Sequence, residues 1–233
     1  MYSINRIGQL HLLLGGGIIY SNFLSISEDK QERILKAALR QFGLYGYKKT
    51  STEQLAKSAG ISKGMIFHYF GTKKGLYEYL VKYSMDYIRG YFTGLSDRVK
   101  DLDFVDRINV STKTKMKAYL RKPEVFEFGT QLFLNPEELE VSKIAQTTYN
   151  EMMEFRNAEV QGVMANDASA DDKILRNDMD STKIHDYITW IVEGYTNKII
   201  GLVKTSSLTE MDLDPFWDEF DEILEDVKKI FYK

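Results

Sequence analysis

The stretch STEQLAKSAGISKGMIFHYF, residues 51–70, decides the fold. It breaks at Gly60-Ile61-Ser62 into two short helical segments. Thr52 reads as the cap of the first, whose apolar face is Leu55, Ala56 and Ala59. Gly60 suits a left-handed helix stop. Ser62 then caps a second segment, Lys63 to Phe70, whose opening turn offers unpaired N–H groups beside a cation. Two short helices joined by a tight turn are the layout that lays the second one in the major groove of DNA. Ile66 and Phe70 are assigned to the core, because such a helix must dock on something.

The pattern extends on both sides. Ile34, Leu35, Ala38, Leu39 and Phe42 recur at helical spacing from Glu28, predicting a supporting helix that ends near residues 43–46. After Lys73, the residues Leu76, Tyr79, Leu80, Tyr83, Tyr87 and Ile88 keep the same period, so a longer helix leads away from the pair. Residues 28–80 resemble the DNA-binding domain of TetR-family transcriptional regulators. The residues that carry the likeness are Ile34, Ala38, Phe42, Gly46-Tyr47, Thr50-Ser51-Thr52, Leu55-Ala56, Ala59 through Gly64, Phe67 through Phe70, and Lys73 to Leu76. So many positions in fixed register make a specific signal, where a lone Ala-x-x-x-Gly turn would not.

The resemblance implies an all-α chain: an N-terminal three-helix DNA-binding domain with a helix-turn-helix, then a larger helical domain for ligand binding and dimerisation. In that pattern Lys63, Gly64, Met65 and Phe67 match groove-facing positions, while Tyr69 and Lys73 match phosphate contacts and His68 stands beside them. Lys63 suits guanine O6 or N7, Met65 or Phe67 a thymine methyl, and Gly64 a close backbone approach. Thr52, Ser62 and Lys74 complete the DNA-facing set, through helix starts and an ammonium near phosphate. Two readings stay open for Phe67, groove contact or core, and for Tyr69, phosphate contact or packing residue.

Composition fits a DNA-binding head on a different body. The chain has 233 residues, 43% hydrophobic and 28% charged, with only three prolines to interrupt helices. Its net charge of −3 would argue against a nucleic-acid partner if it were evenly spread. Residues 27–75, however, hold ten Lys or Arg against four Asp or Glu, a balance of +6, and with Arg6 counted the remainder, 76–233, carries −10. Lys30, Arg33, Lys36 and Arg40 read as either a solvated face or phosphate contacts. The absence of cysteine excludes disulfides and thiolate metal sites and suits a cytoplasmic protein. His11, His68 and His185 lack metal-motif spacing, and no cofactor or metal is expected.

Three divisions are expected: 1–26, 27–75 and 76–233. Residues 1–26 read as an appendage, a mis-set start or an expression-derived tail. The apolar run Leu10 to Tyr20 is too short and too glycine-rich, at Gly15-Gly16-Gly17, to span a membrane, and no small-x-small cleavage pattern follows Arg6. The triple glycine lacks the Lys-Ser/Thr of a phosphate loop. Farther on, Phe104 to Leu120, Pro123 to Leu134, Glu137 to Met164 and Ser181 to Val203 show helical spacing, punctuated by Asn135-Pro136, the polar loop 166–172 and Asp214-Pro215.

Two stripes suggest a second copy of the chain: Ile184, Ile188, Ile191, Tyr195, Ile199 and Leu202, and then Phe216, Phe220, Ile223, Val227 and Ile230. The dimer set is Ile188, Ile191, Tyr195, Phe216, Phe220, Ile223 and Val227, with an intramolecular core as the alternative. Phe126, Phe128, Phe133, Tyr149, Met152, Phe155, Tyr187 and Trp190 offer walls for a planar or greasy effector, with Glu151, Glu154, Glu193 or His185 as polar contacts, though such residues are more often core. The leading functional reading is a homodimeric repressor released from an inverted-repeat operator on double-stranded DNA by a small hydrophobic ligand. The alternative is an architectural or division-associated DNA binder with the same head and no inducer. An enzyme is disfavoured, since no nucleophile–base pair, paired carboxylates or phosphate-binding loop is visible.

Overall fold

The computed structural model describes residues 20–164, 173–205 and 214–233. Helices make up nearly all of it, and the described residues contain no strand beyond one isolated bridge, Leu175 to Tyr232. The triple glycine, His11 and the loop 166–172 lie outside the described residues. None of the described helices is long and apolar enough to cross a membrane.

Two compact units divide the chain, one of residues 1–87 with 123–151 and one of 88–122 with 152–233. The expected division at 75/76 therefore does not follow the packing. In the first unit, α1 (Ser21–Leu24) precedes α2 (Glu28–Lys49), α3 (Thr52–Ser58), α4 (Lys63–Phe70) and α5 (Lys73–Phe92). The unit is completed by α8 (Pro123–Leu134), a 3-10 turn (Pro136–Val141) and the start of α9 (Lys143–Met164).

Ile34, Leu35, Ala38, Leu39 and Phe42 form the buried stripe of α2, and α8 packs along that helix. Phe128 on α8 is buried, its ring 5.9 Å from that of Tyr77. This contact is why the head does not end at residue 75. The appendage is corrected as well: residues 20–26 pack against the head, and Phe23 lies in its core. Phe23 is 0% exposed, with ring centroids 4.8 Å from Phe70, 5.4 Å from Tyr79 and 5.9 Å from Tyr69. The Tyr20 hydroxyl donates to the Gly75 carbonyl, and the Gln31 amide donates to the carbonyls of Leu24 and Ile26.

Regular geometry in α2 fails at Gly46, whose φ of 68° and ψ of 177° only glycine adopts readily. A Cβ there would meet Glu138 Oε1 at 2.6 Å. Gly46→Ala is therefore expected to cost about 2 kcal/mol of stability, from the backbone conformation plus the contact, read as a lower urea midpoint. An unchanged midpoint would contradict this account of the corner.

The second unit holds α6 (Leu95–Val99), α7 (Phe104–Arg121), the rest of α9, α10 (Ser181–Thr205) and α11 (Asp214–Phe231). Ser142, in extended conformation, takes the Ala145 N–H on its hydroxyl, so α9 begins at Lys143 rather than at Glu137. Buried residues of α10 are Ile184, Ile188, Val192, Tyr195 and Ile199, and those of α11 are Phe220, Leu224, Val227 and Phe231. Lys113–Asp221 at 2.6 Å and Lys228–Asp106 at 2.7 Å join α7 to α11, and Lys198–Glu219 at 2.7 Å joins α10 to α11.

Candidate nucleic-acid interface

The helix pair is built as its residues require. Gly60 stops α3 with φ +65°, and Arg33 Nε donates to the Ala59 carbonyl at 3.0 Å, so this cation satisfies a helix end instead of standing free. The cap of α3 is Ser51, which accepts the Gln54 N–H. Thr52 is the first helical residue, a correction of the expected register by one position. Ser62 caps α4 as expected, its hydroxyl accepting the Met65 N–H at 3.3 Å.

Ile66 and Phe70 turn inward and are buried, which fixes the rotation of α4. The same rotation leaves Lys63, Gly64 and His68 exposed, Met65 half-buried and Phe67 38% exposed. Phe67 therefore lies on the outward face, not in the core. No ion pair neutralises Lys63 among the described residues, and only the Ser62 hydroxyl comes within 4 Å of a Cβ placed on Gly64. The face combines one free ammonium, a bare stretch of backbone and two apolar tips, the mixture that reads base edges and thymine methyls.

Tyr69 is corrected. It is 2% exposed, and its hydroxyl is buried without a hydrogen-bond partner among the described residues, so in this structure it packs against Phe23 rather than presenting its oxygen to phosphate. Lys73 sits at the start of α5, its ammonium 4.8 Å from the Tyr47 ring centroid and 3.4 Å from the Lys48 carbonyl oxygen. Burial pushes the Lys73 pKa down, opposed by the Glu138 charge. Lys74 is exposed and pairs loosely with Glu78 at 3.9 Å.

Sequence reasoning missed Tyr47 as the platform for Lys73. The Gly46-Tyr47 corner was visible, but a ring–ammonium contact across 26 positions leaves no periodic trace.

The proposed effector walls are not brought together as a set. Trp190 is 62% exposed and Phe133 61%, and Tyr187 is also exposed, while Tyr149 and Met152 are buried core. Phe126 meets the Tyr87 ring edge-on, Phe128 packs in the head, and Phe155 lies under the Arg89 guanidinium. Glu151, Glu154 and Glu193 are exposed, and His185 stacks on Phe104 at 4.0 Å. In the dimer set, Ile188, Tyr195, Phe220 and Val227 are corrected to intramolecular core, because they form the facing stripes of α10 and α11. Ile191 is exposed, and Phe216 and Ile223 are half-buried.

Residues 34–80 match the family described as "Bacterial regulatory proteins, tetR family". The matched head is that of TetR-family transcriptional regulators, and the relatives and the fold support that family for the chain. Its likeness to the transcriptional repressor AcnR of Corynebacterium efficiens runs well past the head, at 24% identity over 190 residues, 78% of this chain and 88% of AcnR. The transcriptional regulator RutR of Escherichia coli is 39% identical over 57 residues, 24% of this chain and 27% of RutR. A TetR-family regulator from Chloroflexus aurantiacus shares the fold, with a TM-score of 0.54 at 16% identity, covering 91% of this chain and 97% of that one. The fold, a helix-turn-helix head with a helical C-terminal region, and the relatives are those of TetR-family transcriptional regulators, which are not enzymes.

Proposed function

We propose that this TetR-family chain is a cytoplasmic homodimeric repressor that grips an inverted-repeat operator through α4 and is released from it by a small molecule. The observation that carries the reading is the rotation of α4: Ile66 and Phe70 anchor it while Lys63, Gly64, Met65 and Phe67 face outward. A second supports it. On α10, Tyr187, Trp190, Ile191 and Leu202 stay exposed beside Gly194 and Gly201, where nothing lies within 4 Å of an added Cβ, and on α11 Ile230 is exposed in line with Phe216 and Ile223. Open glycines between apolar side chains let a second helix approach closely, and a two-fold pair matches a two-fold operator.

DNA affinity in this scheme comes chiefly from phosphate neutralisation by Lys73, Lys74 and the helix starts at Thr52 and Ser62, and sequence choice from Lys63 and its neighbours. Because a ligand shifts DNA binding only by its differential affinity for two states, the effector must favour a dimer whose heads do not fit both half-sites.

Replacing Lys63 and Lys73 in turn separates the two jobs. Lys63→Ala is expected to lose about 1–3 kcal/mol on the selected operator and to relax base preference at one position per half-site. Lys73→Ala should weaken selected and random duplexes alike and lower the salt slope by about one unit per head. Fluorescence anisotropy over a salt series reads both. Equal losses on both duplexes for the two variants would refute the division.

A further inference from the structure

The 3-10 turn Pro136–Val141 carries three carboxylates with different surroundings: Glu137 and Glu140 are exposed, while Glu138 is half-buried against the Gly46 corner of α2. Leu139, 2% exposed, anchors the turn, and the Tyr77 hydroxyl donates to the Glu138 carbonyl at 3.2 Å. At Gly46 the chain leaves helical geometry, and Glu138 Oε2 accepts the backbone N–H of the next residue, Tyr47. A hydrogen bond to a carboxylate is about twice as strong as one between neutral groups, so the corner is held firmly. The Tyr47 ring lies nearly parallel to Phe42 at 6.2 Å and meets Tyr77 edge-on at 5.1 Å, centroid to centroid, and the Lys73 ammonium stands 4.8 Å from its centre. One continuous chain of contacts thus runs from Glu138 through the Tyr47 backbone and ring to Lys73, all inside the first compact unit.

We infer that Glu138 is a positioning residue of the DNA interface: by holding the Tyr47 N–H it fixes the ring that keeps the Lys73 ammonium in place for a phosphate. The phosphate contact rests on the repressor reading above; the placement of Lys73 stands on the corner alone. The sign of the effect separates positioning from bulk charge. On charge alone, removing a carboxylate from a cationic head tightens its hold on DNA. Positioning requires the opposite, because without the acceptor the corner loosens, Lys73 spends less time at the phosphate and the grip weakens.

The test compares Glu138→Ala, Glu138→Gln and Glu140→Ala in the full chain, by fluorescence anisotropy on the selected duplex over a salt series. Glu138→Ala should bind about tenfold more weakly at physiological salt, with its salt slope lowered by about one unit per head, the change expected of Lys73→Ala. Glu138→Gln keeps a carbonyl acceptor for the Tyr47 N–H, and Glu140→Ala removes the same charge from an exposed position on the same turn; both should bind at least as tightly as the wild type. In the Lys73→Ala background, Glu138→Ala should change the slope no further. Partial unfolding lowers the active fraction but not the slope of the protein that remains folded, so the slope distinguishes positioning from loss of fold. Tighter binding by Glu138→Ala, an unaltered slope, or a loss in Glu138→Gln as large as in Glu138→Ala would overturn the inference. A second readout needs no DNA: in lysine-13C-labelled protein the Lys73 Hε resonance, assigned with Lys73→Arg, should carry the upfield shift of a group over the Tyr47 ring, kept in Glu138→Gln and lost in Glu138→Ala. The same shift in Glu138→Ala would also overturn it. If the wild type bound no duplex, the repressor reading would fall, and this resonance would still decide whether Glu138 positions Lys73.

Discussion

Phe23→Ala is expected to destabilise the DNA-binding head by about 3–5 kcal/mol, the range for truncating a fully buried aromatic side chain. Phe23 has no exposed surface and touches three rings, Tyr69, Phe70 and Tyr79, drawn from the reader helix and the helix after it. Its removal leaves a cavity between α1, α4 and α5 and deprives α4 of part of the surface it docks on. Against a typical domain stability of roughly 5–15 kcal/mol, that loss should lower the urea midpoint sharply and reduce DNA binding with it. Phe23→Leu, which refills most of the volume, should recover much of the loss. Wild-type stability in Phe23→Ala would mean that residues 20–26 do not belong to the head.

Trp190→Asp is expected to convert the proposed dimer to monomer at micromolar concentration. Trp190 is 62% exposed on α10, flanked by Tyr187 and Ile191, so within one protomer the substitution disturbs little packing. In a two-fold interface each substitution occurs twice, and truncating a central aromatic costs about 2 kcal/mol or more, so the pair should weaken association by roughly 4 kcal/mol, on the order of a thousandfold. Sedimentation should show the monomer, circular dichroism an unchanged helical content, and affinity for the selected operator should fall steeply while random-sequence binding falls little. A variant that sedimented as wild type would remove this face from the interface.

Local signals made the reader legible. The Gly60 stop, the Ser62 cap and the Ile66–Phe70 spacing placed α4 at Lys63–Phe70, and α7, α8 and α10 began at the expected residues. Contacts distant in sequence were not legible. Nothing in residues 20–26 announces that Phe23 meets rings more than forty positions away, and nothing in α8 announces that Phe128 closes over the end of α2. The stripe on α10 failed for a geometric reason: Ile188, Ile191 and Tyr195 look like one face at three-and-four spacing, but the packing selects 184, 188, 192, 195 and 199 and leaves 187, 190, 191 and 202 outside. Val192 was the residue that distinguished the two faces. Tyr69 misled because its ring and its hydroxyl favour opposite environments, and burial of the ring against Phe23 prevailed.

Selection from a random duplex pool by the full-length protein at about 50 mM salt, where phosphate contacts are strongest, tests the central claim most directly. The account predicts an enriched inverted repeat, with Lys63→Ala losing preference at one position in each half-site. Absence of any retained duplex under those conditions, or the same motif at the same enrichment from Lys63→Ala, would contradict it.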